Sequence, residues 1–558
     1  MQWGVRIPLR NGIQLNATLY LPRDHVSRTP VIFTMTPYIG QTYHDRGMYF
    51  AAHGYPFLIV DVRGRGNSEG LFEPYLNDWK DGHDIVEWLA HQPYCDGQVA
   101  MWGGSYGGLD QWAVAAQRPT QLATIVPVAS PFYGVDFPMR ANIWSPYVMQ
   151  WLTLITGRAS QDKIFSDAQF WSDGFCRWFE SGVPFKELDT FLGNPSAVFQ
   201  EWITHLRQDA YWEKYNPTAE QYAKLSIPVL TITGIYDADQ LGALTHYREH
   251  LKHSSATARF RHYLVIGPWD HAGTRTPMAE FLGLRVGPDS LVDLPKLHLQ
   301  WYDWTMQRGS KPEFLQKNVA YYVMGAERWR YADTLDAITA RAEVLYLHSS
   351  TNPTDVFKSG SLTREPPLQS EPDQYIYDPR DVSLAKLEGT VNPESRVDHR
   401  MIYASIGRQL IYHSAPFEKH IEISGFFKLS VWLSIDQPDT DFRVSVYEIA
   451  TDGSAIELTS DCLRARYREN LHEEHIINTR VPLRYDFNRF MFVSRLVKKH
   501  HRLRLVIGPI NSIYFQKNYN AGGVVSEESI KDARTVTVRL FHDAICLSAL
   551  YVPLGQPE

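Results

Sequence analysis

The order of apolar runs in this 558-residue chain predicts an α/β core with a mainly parallel sheet, a helical insertion in that core, and a C-terminal all-β domain. Three observations carry the expectation. Between Val31 and His271, short β-rich runs alternate with helical segments. A long aromatic-rich stretch interrupts that alternation, and after about residue 335 the texture changes to short β-like runs punctuated by Pro, Gly, Asp and Asn.

Taken in order, MQWGVRIPLRNGIQLNATLYLP alternates apolar and polar positions around Arg6 and Arg10 and reads as a strand or hairpin; it lacks the apolar run of a signal peptide. The core strands are VIFTMT (31–36), FLIVDV (57–62), VAMW (99–102), LATIVPVA (122–129), PVLTITG (228–234) and HYLVIG (262–267). Residues 131–222, with runs such as FWSDGFCRWFESG, read as a helical cap at the sheet edge. The runs AEVLYLHSS, RQLIYHS, FFKLSVWLSI, FRVSVYEI, RLRLVIG and VTVRLFHD read as a sandwich or jelly roll. The expected organisation is core (1–130), cap (131–222), core (223–335) and jelly roll (336–558), with no repeat.

Composition excludes several function classes. Lys plus Arg is 55 and Asp plus Glu is 62, a net charge of −7 that argues against a nucleic acid partner. No stretch approaches the roughly 20 apolar residues that span a bilayer, so no membrane partner is expected. Cys95, Cys176, Cys462 and Cys546 lie far apart with no metal-ligand spacing, which predicts reduced thiols, a cytoplasmic setting and no structural metal.

The chemistry begins at VAMWGGSYGGLDQWAVAAQRP, where Gly103, Ser105 and Gly107 form G-x-S-x-G between a strand and a helix. By chance about 0.1 to 0.2 such pentapeptides are expected in a chain of this composition, so the context carries the assignment. A sharp turn there lifts the Ser105 hydroxyl over the sheet edge and leaves the Tyr106 backbone N–H free at a helix N-terminus, as an oxyanion donor. An elbow serine needs an acid and then a histidine later in the chain. Asp237 follows the strand PVLTITG, with Asp239 as its competitor; His271 follows HYLVIG, and His262 beside that strand is the worse choice. Asp61 in VDVRGRGNSEG precedes the elbow and reads as anchoring its loop through Arg63 or Arg65. Tyr38, after the first core strand, offers a hydroxyl as second oxyanion donor, although the residues alone favour ring packing there.

The segments PY (37–38), DVRGRGNSEG (61–70), DGHDIVEWLAHQPYCDGQVAMWGGSYGG (81–108), YDADQ (236–240), GPWDH (267–271) and TDFRVSVYEIATDG with LRARYRE (440–469) together resemble the cocaine esterase and X-Pro dipeptidyl-peptidase family, across essentially the whole chain. That family includes α-amino acid ester hydrolases and glutaryl-cephalosporin acylase-like proteins. The resemblance implies an α/β-hydrolase core with cap and jelly roll. It implies Ser105 as nucleophile, Asp237 as acid, His271 as base, and the Tyr38 hydroxyl and Tyr106 N–H as oxyanion donors, with no metal or organic cofactor.

The expected activity is that of a serine acyl hydrolase acting on a small-molecule ester or amide. Recognition of a free α-amino group needs a carboxylate cluster. Asp110 is the first acid after the elbow, and Asp239, Asp173 and Glu180 are the other candidates, so an uncharged acyl group is the plainer expectation for a Trp- and Phe-rich cap. The alternatives are an X-Pro dipeptidyl aminopeptidase or α-amino acid ester hydrolase, and a non-catalytic binding scaffold. The jelly roll is expected to cover the core's edge and is a candidate homodimer interface.

Overall fold

The structure, a computed structural model, describes residues 1–23, 27–306 and 309–556. Ten strands build the first sheet: β1 (Gln2–Pro8), β2 (Gln14–Tyr20), β3 (Thr29–Thr36), β4 (Phe57–Asp61), β5 (Cys95–Gly104), β6 (Leu122–Val128), β7 (Val229–Tyr236), β8 (His262–Asp270), β9 (Val319–Val323) and β10 (Arg328–Ala332). Their order is β1-β2-β4-β3-β5-β6-β7-β8-β9-β10. The run from β4 to β9 is parallel, and the N-terminal hairpin and β10 pair antiparallel at the two edges.

Strand periodicity sets the two packed faces. Val31, Phe33, Val99 and Met101 join one core with Ile85, Leu109 and Trp112, from helices Asp78–Ala90 and Tyr106–Gln117. The alternate residues Ile32, Ala100 and Trp102 join another with Phe50, Leu297 and Trp301, from helices His44–Ala52 and Leu294–Thr305. The result is an α/β-hydrolase core whose strand ends converge on one rim.

Between β6 and β7 the chain leaves the sheet and forms helices that include Tyr147–Leu154, Ala168–Ser181, Ala197–Trp202 and Ala219–Lys224. The helical reading of this stretch misses a small hairpin, Met139–Arg140 with Ile143–Trp144, whose turn residues Ala141 and Asn142 have φ of 52° and 60°. Two consecutive left-handed residues make the turn that a two-residue hairpin needs.

A second, 13-stranded sheet system forms the C-terminal all-β domain, and its first and last strands, Thr339–His348 and Ala549–Gly555, pair antiparallel. An excursion between strands Asp373–Tyr377 and Leu410–Ser414 carries the short helices Ala385–Glu388 and Arg400–Ala404 back toward the first sheet. Gln240, at the start of helix Gln240–His253, is bonded to both Phe492 N–H (2.6 Å) and Phe492 C=O (3.1 Å), which fixes the all-β domain against the rim.

Candidate active site

β5 ends at Gly104, helix Tyr106–Gln117 begins one residue later, and Ser105 between them has φ 59° and ψ −119°. A serine in this region is strained by a few kcal/mol at most, of order 1 to 3. The surroundings hold it there: Ser105 N–H donates to Val128 C=O at 2.9 Å, and its own carbonyl accepts from Gly108 N–H at 2.8 Å. Close approach explains the glycines. A Cβ on Gly103 would lie 2.9 Å from Gly107 O, and one on Gly108 would lie 2.7 Å from Val128 O. The Tyr106 N–H is left among the first-turn donors that have no intrahelical acceptor.

Asp237 follows β7 and is wholly buried; its Oδ1 stands 2.7 Å from Nδ1 of His271, which follows β8. Thr233 Oγ1 donates to Asp237 Oδ2 at 2.8 Å, and Asp239 N–H donates to Oδ1 at 3.1 Å. Burial pushes the Asp237 carboxyl up, but the His271 ring and these donors outweigh it and hold the group below its ordinary value. His271 and Ser105 line the same cavity of about 580 Å³.

Asp239 stands 3.7 Å from His271 Nδ1, too far for a hydrogen bond, and lines the cavity together with Asp136. Its carboxyl is pushed well up, first by burial and then by the negative neighbours Asp136 and Asp237. Burial likewise pushes Asp136 up to about 7, against the partial support of the Phe132 and Gly242 N–H groups. Asp237 and Asp239 are thus two carboxyls, two residues apart, with opposite tendencies. His262 opens β8 and is buried against Thr231 (2.9 Å) and His250 (2.8 Å), away from the cavity.

Trp151 Nε1–H donates to the Tyr38 hydroxyl at 3.0 Å, which turns the phenol's own O–H away from the indole. Burial pushes the Tyr38 hydroxyl up, so it stays a protonated donor. The Tyr106 side chain instead points into the core, where its hydroxyl donates to Asp78 at 2.5 Å.

Three expectations need correction. Asp61 does not pair with either arginine of its loop: Arg63 donates to Asp81 at 2.6 and 3.0 Å, Arg65 donates to the carbonyls of Pro37 and Ile155, and Asp61 accepts from Asn16 Nδ2 at 2.9 Å. Asp173 is exposed on helix Ala168–Ser181, bonded to Gln169, and neither it nor Glu180 lines the cavity. The all-β domain does more than cover an edge. Arg443, Ser445 and Tyr447 of strand Asp441–Ile449, with Tyr514 and Phe515, form cavity wall, as do Glu394, Asp398 and His399 of the excursion.

Sequence reasoning did not find Trp151, Thr233, Asp136, Asp78 or this wall. Only Asp136 carries a local signal, since it lies in PFYGVDFP just beyond β6, on the strand-end rim where open α/β sheets bind ligands.

The X-Pro dipeptidyl-peptidase (S15 family) model matches residues 11–273, and the X-Pro dipeptidyl-peptidase C-terminal non-catalytic domain matches residues 314–532. The chain is 24% identical to the cocaine esterase of Rhodococcus sp. (strain MB1 Bresler) over a 590-residue alignment that covers 99% of this chain and 98% of the esterase. An α-amino acid ester hydrolase structure superposes with a TM-score of 0.85 at 18% identity, covering 99% of this chain and 96% of the other. An aminopeptidase from the marine sediment archaeon Thaumarchaeota archaeon superposes with a TM-score of 0.84 at 20% identity, with the same coverage. At that identity the two superpositions speak for the fold.

Proposed function

This chain belongs to the cocaine esterase and X-Pro dipeptidyl-peptidase family of serine hydrolases, and we propose from that premise that it cleaves a small-molecule carboxylic ester or amide through an acyl-enzyme on Ser105. The observation that carries the reading is the pairing of a strained elbow serine with a histidine in one cavity, the histidine's far nitrogen being held by a buried carboxylate at 2.7 Å. His271 takes the Ser105 proton as the hydroxyl attacks the carbonyl carbon, and Asp237 fixes the tautomer that leaves Nε2 free to accept it. The Tyr106 N–H and the Tyr38 O–H receive the charge that develops on the carbonyl oxygen. The leaving group departs with the proton from His271, and water repeats the sequence on the acyl-enzyme. No step calls for a metal or organic cofactor.

A second reading concerns the acyl group. Asp136 and Asp239 line the cavity beside His271 with no guanidinium or ammonium ion-paired to either among the described residues, which suits a substrate bearing a free α-amino group. This favours an α-amino ester or an aminoacyl amide over the uncharged acyl group. The setting we propose is cytoplasmic, supported by four cysteines that are all free. No helix among the described residues is long and apolar enough to cross a membrane.

The test is hydrolysis of p-nitrophenyl acetate, p-nitrophenyl benzoate, alanine p-nitrophenyl ester and Ala-Pro p-nitroanilide by wild type, Ser105→Ala and Tyr38→Phe. We expect Ser105→Ala to lose turnover with the fold intact and Tyr38→Phe to lose on the order of a hundredfold in kcat. Turnover retained by Ser105→Ala sinks the assignment. Preference for the alanine ester supports amine recognition, and clear anilide turnover moves the protein to the peptidase branch.

A further inference from the structure

Beneath the elbow lie two carboxyls that the acyl-transfer steps do not use. Asp110 sits on the first turns of helix Tyr106–Gln117 and is fully buried; Asp78 opens helix Asp78–Ala90 and is 2% exposed. Neither Asp110 oxygen has a hydrogen-bond partner among the described residues, and after burial itself the neighbouring Asp78 carboxyl is what pushes the Asp110 carboxyl up. Two carboxylates are both acceptors and cannot hydrogen-bond each other, so the contact requires a proton held between them. The other Asp78 contact runs toward the cavity: Tyr106 O–H donates to Asp78 Oδ2 at 2.5 Å, and Tyr75 N–H donates to the Tyr106 oxygen at 2.9 Å. Tyr75 stacks on Tyr106 at 3.8 Å, holds a left-handed φ of 64°, and is itself cavity wall.

We propose that Asp110 and Asp78 are positioning residues, a proton-sharing carboxyl pair that sets the Tyr75 wall of the acyl pocket through Tyr106. The inference rests on the reading of this cavity as the acyl site. The proton sits on Asp110, which donates to Asp78; Asp78 in turn holds Tyr106, and Tyr106 holds the backbone of Tyr75 in a conformation a tyrosine does not adopt unaided. Burial pushes Asp78 up to about 7 and Asp110 well beyond it, so across neutral pH Asp78 passes from neutral to charged while Asp110 keeps its proton. A charged acceptor binds the Tyr106 hydroxyl more strongly than a neutral one.

The charges around the pair act on Asp78 in opposite directions, Asp81 raising it and Arg63 lowering it. On the Asp78 helix Asp81 is paired with Arg63; at the end of β4 Asp61 accepts from Asn16, and beyond it Arg65 donates to two carbonyls while its buried Nη2 has no partner among the described residues. Tyr43, which faces Asp110 from the segment after β3, is pushed up by burial and stays neutral.

The test measures KM and kcat for one ester from pH 6 to 9 in wild type, Asp78→Asn, Asp110→Asn and Asp110→Ala, with near-UV circular dichroism for fold. In wild type KM should fall severalfold as pH rises through about 7. Asp78→Asn, whose amide does not titrate, should flatten that change. Asp110→Asn still donates to Asp78 and should keep the wild-type profile. Asp110→Ala should raise KM by about tenfold, the effect of losing one hydrogen bond to a charged group, with a smaller change in kcat. If KM follows one pH curve in wild type and Asp78→Asn, the pair is only core filling, whatever the variants do to stability. Labelling of Ser105 by a fluorophosphonate in each variant separates this outcome from failure of the acyl-site reading, which shows as a wild type that does not label.

Discussion

The cavity above the elbow and the seam between cap and jelly roll treat buried charge in opposite ways. In the seam, Asp441 receives Arg464 bidentately at 2.8 and 2.9 Å, and Asp439 receives Arg466 at 2.8 Å. Further bonds tie the seam together: Asn518 Nδ2 donates to both carboxylates, and Arg464 Nη1 donates to Asn142 C=O of the cap hairpin at 3.0 Å, while Arg466 Nη2 has no partner among the described residues. All four charged side chains are 5% exposed or less. In the cavity, Asp237 has a comparable set of donors, but Asp239 and Asp136 crowd each other, and neither is ion-paired to a Lys or Arg among the described residues, although Asp136 accepts from the Phe132 and Gly242 N–H groups and Arg275 lies near enough to Asp239 to lower it. Ion-paired carboxylates rigidify a junction, whereas cavity carboxyls without an ion pair are open to a cation from outside.

The largest effect expected on the cavity side is that of Asp237→Asn. The amide presents the wrong group to His271 Nδ1, and kcat on p-nitrophenyl acetate should fall by about 10⁴-fold with the melting curve little changed. A loss under tenfold would place the acid elsewhere, with Asp239 as the nearest substitute.

On the seam side, Arg464→Met leaves Asp441 buried and uncompensated. The urea transition involving the jelly roll should lose about 3 to 5 kcal/mol, while kcat per folded molecule stays within about threefold. Adding Asp441→Leu should recover much of the loss, since replacing both partners by apolar groups removes the orphan charge. Equal loss in single and double variants would mean that the pair itself, not the orphan, carries the junction.

Smallest in size but opposite in sign is Asp239→Asn. The wild-type carboxyl has a folded value above its unfolded one, so its contribution to stability is complete below about pH 4 and is lost as pH rises through the folded value. The variant should therefore be the more stable protein at pH 8, by about 1 to 2 kcal/mol, with the gap closing toward pH 4. It should also lose about tenfold in preference for an α-amino ester over its desamino analogue. A variant that is less stable at pH 8 would show that Asp239 is as well satisfied as the seam acids.

Much of this was legible because its causes are local. The Gly103 to Gly108 turn follows from a strand meeting a helix with no room for side chains, and Asp237 and His271 stand where successive parallel strands end. The residues that escaped the sequence reading meet partners far along the chain: Trp151 reaches Tyr38 over 113 positions, and Asn142 reaches Arg464 over 322. From the sequence Asp61 reads as a partner of Arg63 or Arg65 because proximity along the chain is the only guide; the fold gives those arginines to Asp81 and to backbone carbonyls instead.

The sequence by itself determined the α/β core, the inserted helices, the all-β domain and the family, because hydrophobic periodicity and short turn motifs are properties of neighbouring residues. Only the tertiary structure decided what the cavity is made of. Its wall comes from the strand rim, the cap, the 378–409 excursion and the jelly roll together, and the charge state of Asp78, Asp110, Asp136, Asp237 and Asp239 depends on which donors and which other carboxyls folding brings within reach. Burial and Coulomb interaction act through space, and no spacing along the chain encodes them.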